Sequence, residues 1–183
     1  MEINPKLRDA KWEDLAALAA VEAHPWVAVW QYPTTTELQR DFLHQILSGT
    51  AFPGCKVHLT VIERDGRLIG FIQHTHRQTA GVEWVVCGWS LLPEYWGQGI
   101  MSNALRQLFD RFFASQIEYV FADYFHGNHR CQRLLEKLGF VPQPIPWLER
   151  LRIIWGTRHL VWLHRTRLDR PSGPEFHSDD NLT

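Results

Sequence analysis

A chain of 183 residues, 45% hydrophobic and 21% charged, is long enough to bury a core of its own without disulfides or metals. Its formal net charge of −1 lacks the basic excess that nucleic acid demands, and no apolar run approaches the roughly 20 residues that cross a bilayer. These bounds point away from nucleic-acid and membrane partners, although clustered arginines could still form a local patch, and the expectation is one soluble domain over 1–168.

In chain order, apolar residues at helical spacing predict a helix over 12–23, with Asp9 as its cap. The start of the chain has no basic stretch followed by an apolar one, so the expectation is a cytoplasmic protein. Pro25 and Pro33 bracket an aromatic segment, read as a loop or broken helix, before Thr34-Thr35-Thr36 opens a second helix. Strands are predicted over 57–63 and 68–75, joined at Asp65-Gly66, a pair suited to a two-residue hairpin turn. A further strand over 81–91 runs into Pro93 and a loop with Gly97 and Gly99, which feeds a helix over 101–114. Then come a strand over 119–123, a helix over 128–138 stopped by Gly139, a strand from Phe140, and a last strand over 159–164. Residues 169–183 lack periodicity and read as a disordered tail. Cys55, Cys87 and Cys131 form no CxxC pair and read as free thiols.

The chemistry concentrates where strand gives way to glycine loop and helix. Trp96-Gly97-Gln98-Gly99-Ile100-Met101-Ser102 would present unpaired amides at the positive end of a helix dipole, a site suited to a pyrophosphate. By itself such a loop is more often a mere connection. It ends in no Gly-Lys-Ser/Thr and lacks a third glycine, so it is neither a P-loop nor a dinucleotide fingerprint.

Pro93 to Ile100 followed by Ala104-Leu105, together with Asn128 and Leu135-Glu136-Lys137-Leu138-Gly139-Phe140, resembles the paired signatures of the GCN5-related N-acetyltransferases (GNAT). Within them it is most similar to the ribosomal-protein N-terminal acetyltransferases (RimJ/RimL-like). The resemblance spans 7–168. It implies an α/β (α+β) fold: a mixed, strongly twisted sheet of six or seven strands flanked by helices, with the central strands splayed to admit acetyl-CoA as acyl donor. In that family the pantetheine arm pairs with main chain at positions matching Ser90, Leu91 and Leu92. Amides matching Gly97 to Ser102, with Trp96, Gln98, Ile100 and Met101 in the loop, hold the pyrophosphate. The tryptophan at 96 is common in the subgroup, whereas Met101 stands where glycine or alanine is usual.

For catalysis the resemblance implies backbone amides near Leu91 for the oxyanion. The subgroup's frequent glutamate falls near Val86, so this chain lacks it; Glu83 is an alternative base, or simply an edge charge. Asn128 matches a residue that contacts cofactor or an ordered water, and would equally cap its helix. Cys131 replaces a serine near the sulfur, as an acid or as inert packing. Tyr124 is another candidate donor, and Arg133 a candidate phosphate contact beside Lys137. His74 and His76 share a strand face, but no third ligand is spaced to complete a metal site.

The acceptor end is expected at the aromatic residues Trp26, Trp30 and Tyr32 and in the region 142–155, whose rings would attract an apolar or cationic amine or meet a second copy in a homodimer. The expected activity is acetyl transfer to a primary amine of a protein N-terminus or small molecule. The alternative is a non-catalytic acyl-CoA-binding or assembly module, for which Val86 and Met101 are the motivating departures.

Overall fold

The computed structural model describes residues 5–31, 35–51, 56–79, 81–115, 117–125, 127–142 and 160–166. Tyr32, residues 143–155 of the expected acceptor region and the expected tail lie outside them.

The chain starts with strand β1 (Lys6–Asp9), a 3-10 turn (Trp12–Asp14) and helices α1 (Leu15–Ala23), α2 (Pro25–Ala28) and α3 (Thr36–Ser48). Asp9 is therefore a strand residue, not a helix cap. Three of the four residues of β1 are charged, so it offers little hydrophobic alternation; Leu7 packs against the core and ion pairs hold the rest. Arg8 Nε reaches Glu63 at 2.6 Å, and its other nitrogens clasp Asp14 at 2.6 and 2.8 Å. Helix α2 begins at a proline, which loses no helical donor at that position, and the His24 ring accepts from the Trp26 amide at 3.3 Å. Thr35 Oγ1 accepts from the Leu38 amide at 3.2 Å and caps α3.

Strands β2 (Lys56–Arg64) and β3 (Arg67–Thr79) form the expected hairpin. Asp65 and Gly66, at φ 52° and 75°, turn it with both central residues left-handed. A bulge leaves Ile69 between the paired residues Leu68 and Gly70, so both Ile69 and Ile72 join one core. Strand β4 (Val82–Leu91), helix α4 (Ile100–Ala114), strand β5 (Tyr119–Phe125), helix α5 (His129–Lys137) and strands β6 (Val141–Pro142) and β7 (Leu160–Thr166) complete the chain.

Backbone pairing gives the order β1-β2-β3-β4-β5-β7-β6. The strands β1 to β5 make the body of the sheet, and β7 with β6 extend it. Among the described strands only β4 and β5 run parallel, as a crossover through α4 requires; the other pairs are antiparallel. Helices cover both faces. Ile62, Ile72, Val85, Cys87, Val120 and Ala122 pack with Leu105, Phe109 and Phe112 of α4 and Leu135 of α5. On the opposite face Leu59, Val61 and Phe71 meet Leu18 and Val21 of α1 and Leu43 and Ile46 of α3. Each such large side chain contributes about 1.5–3 kcal/mol by leaving water.

At Gly70 a Cβ would lie 2.5 Å from the Ser90 carbonyl oxygen and 3.0 Å from Leu91 Cα. Only glycine lets β3 approach the end of β4 this closely, and that end borders the site.

Candidate active site: a cleft between splayed strands

Pairing between β4 and β5 stops at Cys87 opposite Ala122, although β4 continues to Leu91 and β5 to Phe125. The two strands thus diverge over their last few residues. The wedge opens into a cleft of about 850 Å³, with α1, α2 and α3 over one side and the start of α4 and α5 on the other.

At the α4 end, a 3-10 turn (Pro93–Tyr95) leads into the glycine loop. Trp96 Nε1 donates to the Leu91 carbonyl at 2.7 Å, tying the loop to the end of β4, and the Arg130 guanidinium lies 4.5 Å from the Trp96 ring centroid. Gln98 is held outward: its Nε2 donates to the Glu94 carbonyl at 2.8 Å, and its Oε1 accepts from Arg64 at 2.7 Å. Gly97 and Gly99 sit at φ 74° and 77°, values that cost an L side chain roughly 1–2 kcal/mol, and the space a Cβ would fill at each is open.

The amides from Gly97 to Ser102 have no hydrogen-bond partner among the described residues. Ser102 adds a second sign of a missing partner, because its Oγ is buried and unbonded while the residue lines the cleft. Six unsatisfied backbone donors and one hydroxyl, at the positive end of a 15-residue helix, form a cradle for a diphosphate. Arg130, which stands over Trp96, and Arg133 and Lys137 of the same α5 segment also line the cleft.

Of the residues expected at the donor end, Ser90, Leu91, Trp96, Gly97, Gly99, Ile100, Met101, Ser102, Asn128 and Arg133 all line the cleft. Gln98 does not, since its side chain is engaged toward β2. Leu92 must be corrected: it lies outside the lining, its amide donates to the Ile69 carbonyl at 2.9 Å, and its carbonyl accepts from Tyr95 at 3.0 Å. Its only backbone donor is therefore occupied.

Among the candidate catalytic residues, Tyr124 and Cys131 line the cleft and Glu83 does not. Glu83 lies near the start of β4, opposite Gln78, with its carbonyl accepting from Glu118 at 2.9 Å. Asn128 caps α5, its Oδ1 accepting from the Cys131 amide at 3.1 Å, which leaves the amide group of its side chain without a partner among the described residues. Burial, with Asp123 adding to it, pushes the Cys131 thiol up to about 12. Burial likewise raises the Tyr124 phenol. Both hold their protons at neutral pH.

At the opposite side of the cleft, Trp26 and Trp30 line the wall with Gln31 and Gln39. A chain of polar contacts stiffens this wall: Gln39 Nε2 donates to Gln31 Oε1 at 3.0 Å, and Gln31 Nε2 donates to Ser90 Oγ at 3.2 Å. Two carboxylates not anticipated from the sequence also line the cleft, Glu22 of α1 and Asp123 of β5. Neither has a cationic partner among the described residues. Burial raises Asp123 above the usual carboxylate range and pushes Glu22 up to about 7. The sequence signal available for Glu22 was a lone carboxylate inside an otherwise apolar helix, Leu15 to Ala23.

His58, His74 and His76 cluster on the α4 face of the sheet, away from the cleft. Their ring centroids are 5.0 to 5.2 Å apart, and His74 and His76 also meet Phe112. Among the described residues no group of three His, Cys, Asp or Glu is arranged to hold a metal ion, nor is any helix long and apolar enough to cross a membrane.

Residues 6–141 match the family model described as acetyltransferase (GNAT) domain; the chain belongs to this family of acetyltransferases. Solved structures that share the fold include the ribosomal-protein-S5-alanine acetyltransferase of Vibrio fischeri, at 20% identity and TM-score 0.70, covering 91% of this chain and 94% of that one. RimJ of Mycobacterium smegmatis, in complex with CoA-disulfide, aligns at 19% identity and TM-score 0.71 over 91% of this chain and 83% of its own. The aminoglycoside acetyltransferase AAC(6')-Ib, in complex with coenzyme A, aligns at 18% and 0.70 over 89% and 95%. Among curated proteins none matches this sequence.

Proposed function

We propose that this protein transfers an acetyl group from acetyl-CoA to a primary amine. The observation that carries the proposal is the row of amides from Gly97 to Ser102 that have no partner among the described residues, at the mouth of a wedge between two strands. Such a row suits a diphosphate, and the edges of β4 and β5 that face each other without pairing beyond Cys87 and Ala122 suit the amide-bearing arm that follows it, as an added strand would.

In this reading the cations Arg130, Arg133 and Lys137 meet the phosphates. Main chain near Leu91 receives the oxyanion as the amine attacks the thioester carbonyl. Tyr124 and Cys131 stay protonated, so they serve the departing thiolate as hydrogen-bond donors; a thiol near 12 is poorly matched to transferring its proton fully to a thiolate near 8.5. Asn128 keeps the first turn of α5 in place. The acceptor occupies the side walled by Trp26 and Trp30. Acceptors of both kinds named among the structural neighbours, a ribosomal protein and an aminoglycoside, present an amine, which supports this nucleophile and leaves its carrier to experiment. A cytoplasmic setting accords with the free thiols Cys87 and Cys131.

The test is calorimetric binding of acetyl-CoA followed by thiol release with a panel of amines. Binding with amine-dependent release is expected. Binding without turnover on any amine would replace the transferase with an acyl-CoA-binding module, and absence of binding would remove both.

A further inference from the structure

The acceptor half of the cleft contains an acid–base group that the family motifs do not include. Glu22 comes from α1, whereas the subgroup's frequent base falls on the strand near Val86, which is apolar here. Glu22 lines the same cleft as Trp26, Trp30 and Gln39, is partly buried, and has no ion-pair or hydrogen-bond partner among the described residues. An unpaired, partly desolvated carboxylate is costly unless a ligand supplies the missing partner.

We propose that Glu22 is the general base of the reaction, receiving the proton of an acceptor that arrives as an ammonium ion between this carboxylate and the faces of Trp26 and Trp30. The inference rests on the transferase reading above.

The electrostatic surroundings suit the role. Burial alone pushes Glu22 up to about 7, so a primary ammonium near 10.4 faces a gap of about three pH units instead of the roughly six that an ordinary glutamate would leave. From α2, α3, β3 and β4 the described lining residues on this side are neutral, Gln31, Gln39 and Gln73 among them. Strand β5 contributes a second carboxylate to the cleft, Asp123, which acts on the Cys131 thiol of α5 and not on Glu22. The cations Arg130, Arg133 and Lys137 all belong to the α5 segment.

The step balances. The ammonium gives one proton to the Glu22 carboxylate, and the freed nitrogen lone pair forms the C–N bond to the thioester carbonyl carbon. The C–S bond breaks with its electron pair on sulfur. The second nitrogen proton leaves with the thiolate to give free CoA, and Glu22 returns its proton to solvent through the open cleft.

The experiment is the pH profile of kcat/KM from 5.5 to 9 for wild type, E22Q, E22D and D123N. It uses acetyl-CoA with the fastest of tryptamine, spermidine and an alanyl tripeptide. Wild type is expected to show an acid limb near pH 7. E22Q should lose that limb and about 10²- to 10³-fold in rate, with acetyl-CoA affinity unchanged by calorimetry, and E22D should restore part of both. Because the charged form of Glu22 is the costly one in the fold, E22Q should melt no lower than wild type above pH 7; a purely structural role predicts a lower melting temperature. An E22Q enzyme that keeps the limb and a rate within threefold of wild type overturns the inference while leaving the transferase intact, and so does a limb abolished by D123N but not by E22Q. Wild type that binds acetyl-CoA yet turns over none of the three amines overturns the transferase reading itself.

Discussion

The two ends of the cleft are built in opposite ways. The donor end is centred on a short contiguous stretch, Trp96 to Ser102, whose own groups are backbone amides and one serine hydroxyl, with cations of the α5 segment around it. The acceptor end is assembled from α1, the α2 segment and α3, and its working groups are side chains: one carboxylate, two indoles and a pair of carboxamides. Their charges are opposed as well, with Arg130, Arg133, Lys137 and a helix N-terminus at one end and Glu22 at the other. A backbone site can keep its ligand while most side chains around it vary. A side-chain site changes its ligand whenever one side chain does, so the donor should be general to the architecture and the acceptor particular to this chain.

The largest effect that would break this contrast is at the acceptor end. E22Q should lower kcat/KM by about 10²- to 10³-fold without altering acetyl-CoA affinity; a parallel loss of affinity would mean that the two ends are not separable. At the donor end Gly99→Val should weaken acetyl-CoA binding about 10- to 100-fold in calorimetry, because it strains a residue at φ 77° and crowds the amides, while amine KM stays the same. Ser102→Ala, which removes one hydroxyl from the same cradle, should cost about three- to tenfold in affinity. Raising salt from 50 to 300 mM should weaken acetyl-CoA binding further, through screening of Arg130, Arg133 and Lys137.

The smallest effect on activity should come from the far face of the sheet. Burial, with neighbouring histidines adding to it, pushes His74 down to about 3, and burial also lowers His58 and His76. The unfolded chain thus binds protons between about pH 6.5 and 3 that the fold resists. By the sign of that difference, stability is fully present above 6.5 and declines as the pH falls toward 3. Thermal melts across that range should show the decline, and it should shrink in His58→Gln. Acetyl-CoA affinity at pH 7.5 should not change.

The same contrast accounts for what could be read from the sequence. Gly97, Gly99 and the helix after them are local, so their spacing signalled both a sharp turn and free amides. The hairpin at Asp65-Gly66 and the cap at Asn128 were legible for the same reason. Glu22 was not: within α1 it is one carboxylate among alanines, leucine and valine, and only packing α1 across β3 brings it to the cleft. Asp123 likewise ends a short strand in the sequence and becomes part of a wall only because β5 parts from β4. Strand β1 escaped notice because Lys6-Leu7-Arg8-Asp9 has no apolar alternation, and its stability comes from Glu63 and Asp14, distant or out of register in the chain. Leu92 was misjudged because its backbone bonds, to Ile69 and Tyr95, are set by the turn that the sheet end imposes.

The central claim is that the amides at the start of α4 grip the diphosphate of the donor. Backbone amide NMR during a titration with CoA tests it most directly: the resonances of Gly97 to Ser102 should move together, saturate at one equivalent, and become protected from solvent exchange. Saturating CoA binding that leaves those six resonances in place while others shift would contradict it.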